Sequence, residues 1–116
     1  MDGSEIILMA MDAKTMMARA EAAEAFLRSL ASRHRLMILC SLLKEEVSVG
    51  ELAHRLELSQ SNLSRHLGML REEGLVAARR EGTVIHYRIV ADRVIPILTE
   101  LYRMFCLPDA TSETKD

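Results

Sequence analysis

Two thiols and one polar run hold most of the chemistry available to this chain. Cys40 and Cys106 are its only cysteines. They form no C-x-x-C pair, so neither a disulfide framework nor a zinc-finger spacing is present. Two thiols that meet in space support reversible sulfur chemistry without a metal: one thiolate attacks a sulfur–sulfur bond and the other resolves the product. Taken singly, each reads first as a small hydrophobe suited to a core. The four histidines, His34, His54, His66 and His86, fall on different segments, and no two are spaced i, i+4. A soft-metal or zinc site needs three or four thiolates and imidazoles in one shell. No such set is legible, so each His reads as a surface or core residue and no metal or other cofactor is expected. The polar run is SQSNLSRHL, from Ser59 to Leu67. Within it Gln60, Asn62 and Arg65 are side chains able to make bidentate pairs with adenine or guanine, and Ser61 and Ser64 are small enough to permit close approach to a base edge. The bland alternative is a solvated face of an amphipathic helix.

The elements around that run weigh against the bland reading. Residues 15–30 predict a helix, with good formers and neither Gly nor Pro. Ser32 predicts the N-cap of a second helix reaching about Leu43, with Leu36, Leu39 and Leu43 along one face. SVGELAHRL opens with a capping box, in which Ser48 accepts from the Glu51 amide and the Glu51 side chain reaches back. This third helix ends near Leu56. After a tight turn at Glu57-Leu58, Ser59 caps a fourth helix whose buried stripe is Leu63, Leu67 and Leu70, and Gly74 stops it. LVAARREGTVIHYRIV predicts two short strands joined at Glu81-Gly82. In the second strand Val84, His86 and Arg88 face one way and Ile85, Tyr87 and Ile89 the other. Asp92 is the expected cap of a last helix running to about Cys106, with Pro96 in its early turns.

Two short helices with a tight turn form a helix-turn-helix, and a hairpin directly after them makes it winged. In such a motif the leading end of the second helix enters the major groove. That accounts for a helix whose first turn is polar. Arg79 and Arg80, beside the hairpin turn, are placed for phosphate or minor-groove contact. The expected fold is mainly α with a small β-hairpin, a winged helix-turn-helix of about five helices. Residues 1–14 are expected as a flexible N-terminal segment, 15–107 as the winged domain and 108–116 as a flexible tail.

Composition bounds the function classes. The chain has 116 residues, 49% hydrophobic and 28% charged, enough for one domain with a modest core. Net charge is −2, but residues 59–90 sum to +2 while 1–27 sum to −3 and 91–116 to −2. The middle is basic and the ends acidic, a local footprint suited to nucleic acid. The opening MDGSEIILMAM is acidic where a signal peptide is basic, and its apolar run is too short to span a membrane. A cytoplasmic protein with reduced thiols is expected. Without a C-x-x-C at a helix start or a Gly-rich phosphate loop, the chain does not read as an enzyme.

The stretch ELAHRLELSQSNLSRHLGMLREEGLVAARREGTVIHYRI resembles the core of the ArsR family of winged-helix repressors, a similarity covering roughly residues 20–106. The resemblance implies a homodimer on an inverted-repeat operator in double-stranded DNA, which blocks transcription and lets go when an inducer binds. It also implies a dimer interface made by the first and last helices, where Met16, Met17, Ala20, Leu27, Ile97, Leu101, Met104 and Phe105 are in surplus. The same residues also fit the core of a single monomer. The family's arsenic-type site puts paired Cys on the first helix of the helix-turn-helix, but SVGELAHRL has none. Its zinc-type site puts Asp and His on the last helix, but ADRVIPILTELYRMFC has no His. SRHRLMILCSLL and LYRMFC resemble instead the sulfide-responsive SqrR/BigR-like branch. That resemblance implies that Cys40 and Cys106 are a sensing dithiol read by persulfides or polysulfides. Metal sensing is the alternative within the repressors. Thiol oxidoreductase and a protein-interaction module are the alternatives outside them.

Overall fold

A computed structural model describes residues 11–107. Their chain order is five helices and three strands, and the chain divides between Ala31 and Ser32 into two compact units. The expected segments 1–14 and 108–116 lie almost wholly outside the described residues; Ala13 and Lys14 are already helical.

The first unit contributes one described element, α1 (Ala13–Leu30). Asp12 caps it, its carboxylate accepting from the Thr15 amide at 2.7 Å. This bond holds the Asp12 carboxyl below the usual carboxylate range. Met16, Met17 and Leu27 stand exposed along the helix.

The second unit begins with Ser32, which caps α2 (Arg33–Ser41). The buried residues are Arg35, Ile38 and Leu39, followed by Leu42 in the C-cap. The buried stripe is therefore turned from the expected Leu36/Leu39/Leu43 face, and Leu36 and Leu43 are only half-buried. Strand β1 (Val47–Ser48) and helix α3 (Val49–Leu56) follow. Only half of the expected capping box forms. Ser48 Oγ accepts from the Glu51 amide at 3.1 Å, but the Glu51 carboxylate turns away to accept from Arg55 Nε at 2.9 Å. An ionised guanidinium is the stronger donor.

Glu57 makes the turn with a φ of 55°, the one positive φ outside glycine among the described residues. Ser59 then caps α4 (Gln60–Glu72), in which Leu63, Leu67 and Leu70 are fully buried, as their spacing predicts. Gly74, at φ 80°, ends that helix and delivers Leu75 and Val76 to the core. Strands β2 (Val76–Glu81) and β3 (Val84–Ile89) pair antiparallel through the turn at Gly82, with Arg79 opposite His86 and Arg80 opposite Ile85.

The sheet has three strands, in the order β1-β3-β2, not the two expected. Val47 and Ser48 pair with Tyr87 and His86. Two residues are too few to show a period of two, so this strand exists only through its partner. Helix α5 (Val94–Phe105) closes the unit, with Val94 and Leu98 fully buried. Asp92 does not cap it. Arg93 holds the cap position with helical dihedrals and no side-chain cap bond, and Asp92 contributes only its carbonyl, accepting from the Ile95 amide at 3.1 Å.

Candidate DNA-reading surface and dithiol

The reading surface starts from a cap. Ser59 Oγ accepts from the Asn62 amide at 3.1 Å, satisfying a donor that a helix start otherwise leaves open. This fixes the first turn of α4, where Gln60, Ser61, Ser64 and Arg65 are exposed and Asn62 is half-buried. Arg65 Nη2 donates to Asn62 Oδ1 at 2.9 Å, so two of the expected base-reading side chains are already joined. Below them, α4 packs on α3 and α2 through its Leu stripe. Its far end is tied by Arg35, whose Nη1 lies 3.3 Å from a Glu73 carboxylate oxygen. Arg35 Nη2 also lies 3.6 Å from Met69 Sδ. A buried arginine on α2 thus holds the tail of α4, a residue that the apolar spacing of α2 does not single out.

The two wing arginines are not equivalent. Arg79 Nε and Nη2 donate to the Glu46 carboxylate at 3.1 and 2.6 Å, and Arg79 Nη1 lies 3.7 Å from Glu81. The same Glu46 carboxylate lies 3.9 Å from Arg88, and Glu81 lies 3.3 Å from His86. The Arg79 hydrogen bonds hold the Glu46 carboxyl below its ordinary range and the Arg79 guanidinium above its own. Arg80, on the other face of β2, is exposed and makes no ion pair among the described residues.

The histidines are less scattered in space than in sequence. His34 on α2 and His66 on α4 meet edge to face, their ring centroids 5.3 Å apart. His66 Nδ1 is buried without a hydrogen-bond partner. Burial, then the charges of Arg65, His34 and Arg35, push the His66 pKa below its ordinary value. Spacing within either helix does not predict this pair, because its members lie on different helices. Among the described residues no cluster of three or more His, Cys, Asp or Glu is placed to hold a metal ion.

Cys40 and Cys106 are both free cysteines. Cys40 is half-buried in the last turn of α2. Cys106 is exposed at the C-cap of α5, where its amide donates to the Tyr102 carbonyl at 2.8 Å. Burial pushes the Cys40 thiol pKa up, and the charge of a Cys106 thiolate pushes it further. Helix α2 packs against both α5 and α4, so the Cys40 helix touches both the Cys106 helix and the helix with the polar leading end.

A capped helix, a left-handed turn, a helix with a polar leading end and a three-stranded wing now stand together. Residues 32–78 match the model of the bacterial regulatory protein arsR family. The chain is 48% identical over 80 residues to the transcriptional activator HlyU of Vibrio cholerae, covering 69% of this chain and 74% of that protein. It is 41% identical over 109 residues to the biofilm growth-associated repressor of Agrobacterium fabrum, covering 94% and 89%. The chain belongs to the arsR family. The crystal structure of the repressor BigR from Xylella fastidiosa superposes with a TM-score of 0.75 at 37% identity, spanning 84% of this chain and all of that one. The chain is thus an ArsR-family transcriptional regulator with a DNA-binding winged helix-turn-helix, in the BigR-like branch. Among the described residues no helix is long and apolar enough to cross a membrane.

Proposed function

We propose that this regulator is a cytoplasmic homodimeric repressor whose Cys40/Cys106 dithiol releases DNA when persulfides bridge it. Gln60, Ser61, Asn62, Ser64 and Arg65 read base edges, while Arg80, and Arg79 once freed from Glu46, meet phosphates. The exposed apolar side chains of α1 and of α5, Met104 and Phe105 among them, are the surfaces a second copy covers.

The observation that carries the switch is the position of α2 against both α5 and α4. The chemistry balances without an added oxidant. A cysteine thiolate attacks the outer sulfur of R–S–SH, the S–S bond breaks, and R–S⁻ leaves to take a proton as R–SH. The cysteine is now a persulfide. The other cysteine thiolate attacks its inner sulfur and expels hydrosulfide, leaving a disulfide. If both cysteines are persulfidated first, the same step leaves a trisulfide and hydrosulfide. The sulfane sulfur is reduced and the two thiols are oxidised. A direct disulfide needs Cα atoms about 4.4–6.8 Å apart, and inserted sulfur extends that reach. A bridge couples α2 to α5 and thereby strains the packing of α2 on α4. In a dimer the two recognition helices must match half-sites one helical turn apart, so a small shift of each is enough to lose the operator.

The test is an electrophoretic shift with reduced protein. Glutathione persulfide is expected to release the DNA and add intramolecular sulfur mass. Hydrogen sulfide, which has no sulfane sulfur, is expected to do little. Release of the parent by stoichiometric zinc but not by persulfide overturns the proposal in favour of metal sensing.

A further inference from the structure

A cavity of about 430 Å³ opens beside Cys40, where the end of α2, the loop after it, α3 and α5 meet. Its size lies within the range of small-molecule sites, roughly 300–1,000 Å³. Part of its wall is apolar, including Ile95 and the Tyr102 ring from one face of α5. The rest is charged with both signs, from Lys44, Glu45 and Arg55. Arg55 is held by Glu51 at 2.9 Å and Glu45 at 3.4 Å, whereas Lys44 has no ion pair among the described residues. A thiol, one free cation and one carboxylate therefore face a common space large enough for a small organic molecule. Nothing in the reading of DNA calls for such a space.

We propose that this cavity seats the organic part of the sulfur donor, a low-molecular-weight amino-acid or peptide persulfide bearing both carboxylate and ammonium groups. The inference rests on the dithiol switch and adds to it the place where the donor docks and the charges that select it. Lys44 takes a carboxylate of the ligand, Glu45 takes its ammonium, and the apolar wall receives its methylenes. The S–SH group then lies at Cys40, whose thiolate attacks the outer sulfur while R–S⁻ departs as R–SH.

The need for a docking site follows from the state of Cys40. Its burial and the neighbouring Cys106 keep the thiol protonated above the ordinary range, so a donor meeting it by chance finds little thiolate. Holding the donor beside the sulfur raises its effective concentration and offsets that scarcity. Selectivity then comes from the charges around the thiol as well as from sulfur chemistry. A neutral persulfide of equal reactivity lacks both polar anchors.

The experiment compares three donors on reduced full-length protein: glutathione persulfide, the neutral persulfide of 2-mercaptoethanol, and inorganic hydrogen disulfide. The rate with glutathione persulfide is expected to saturate, and the other two to stay linear. Lys44→Glu is expected to slow glutathione persulfide about tenfold and leave the other two unchanged. Thr99→Phe, which fills the cavity, is expected to slow both organic donors and spare the inorganic one. Equal linear rates for all donors, or an equal slowing of all three by Lys44→Glu, overturns the inference. The switch and the cavity are separated by the unreactive Cys40→Ser/Cys106→Ser variant titrated calorimetrically with glutathione itself. If no donor modifies Cys40, the switch fails. Glutathione binding to the unreactive variant that Lys44→Glu weakens still supports the cavity, and no binding at about 10 mM overturns it.

Discussion

If the wing meets DNA as proposed, the clamp between Arg79 and Glu46 sets how many cations it offers. In the free protein the Arg79 guanidinium donates to both Glu46 oxygens, at 2.6 to 3.2 Å, and so faces the segment before β1 instead of a phosphate. Glu46→Gln keeps the size and a carbonyl acceptor but removes the charge. Arg79 then keeps only its longer ion pair with Glu81, at 3.7 Å, and can turn outward, and the local charge rises by one. The pair is solvent-screened, so thermal stability is expected to change little. DNA binding is expected to tighten and to become more sensitive to salt. One added phosphate contact makes the slope of log K against log salt more negative by about 0.9, an extra loss of about 3.5-fold between 50 and 200 mM salt. Fluorescence anisotropy on operator and scrambled duplexes at four salt concentrations measures this. The gain is expected on both duplexes, because a phosphate contact reads no sequence. The double variant Glu46→Gln/Arg79→Ala is expected to lose the added slope. If Glu46→Gln leaves the slope unchanged, Arg79 does not reach DNA when released. If the increment survives without Arg79, it is a general charge effect and the clamp argument is wrong.

Three further outcomes are expected. Arg65→Ala and Gln60→Ala each weaken operator binding by about 1–3 kcal/mol and relax sequence preference, whereas Arg80→Ala weakens operator and scrambled DNA alike; unchanged preference in a binding-site selection removes α4 as the reader. Cys40→Ser and Cys106→Ser each still bind DNA and each fail to release it with glutathione persulfide, a result read by gel shift and intact-protein mass; a double variant that responds like the parent sinks the dithiol switch. The folded-state pKa of His66 is depressed, so the unfolded chain takes up this proton first as pH falls. The stability attributable to a neutral His66 is present above its ordinary value of 6.5 and is lost as pH falls below it, so urea midpoints from pH 8 to 5 should drop more in the parent than in His66→Phe.

Local bonds were legible in the residues themselves. Ser32, Ser48 and Ser59 each accept from an amide three residues ahead, a bond that depends only on the residue type and the turn that follows. Gly74 takes the positive φ that few other residues tolerate, and the i, i+4, i+7 spacing of Leu63, Leu67 and Leu70 presents one buried stripe. These features placed α3, the turn and α4, and with them the polar residues of the reading surface.

Where local signals competed, the fold chose between them. Asp92 is a good cap by type, but Arg93 took helical dihedrals and left Asp92 outside the capping geometry. Glu51 had two partners within reach and accepted the charged one.

What the tertiary structure alone decided is who meets whom across the chain. Arg35 finds Glu73 38 residues away, and Arg79 finds Glu46 across 33. His34 meets His66, and Val47 and Ser48 become a strand only beside Tyr87 and His86. No periodicity records such pairings, because each side chain is ordinary in its own segment and gains its role from burial beside a distant partner. The thiols follow the same rule. Residue type makes Cys40 and Cys106 capable of sulfur chemistry, but it is the tertiary packing, with α2 against both α5 and α4, that half-buries Cys40 and lays a cavity beside it.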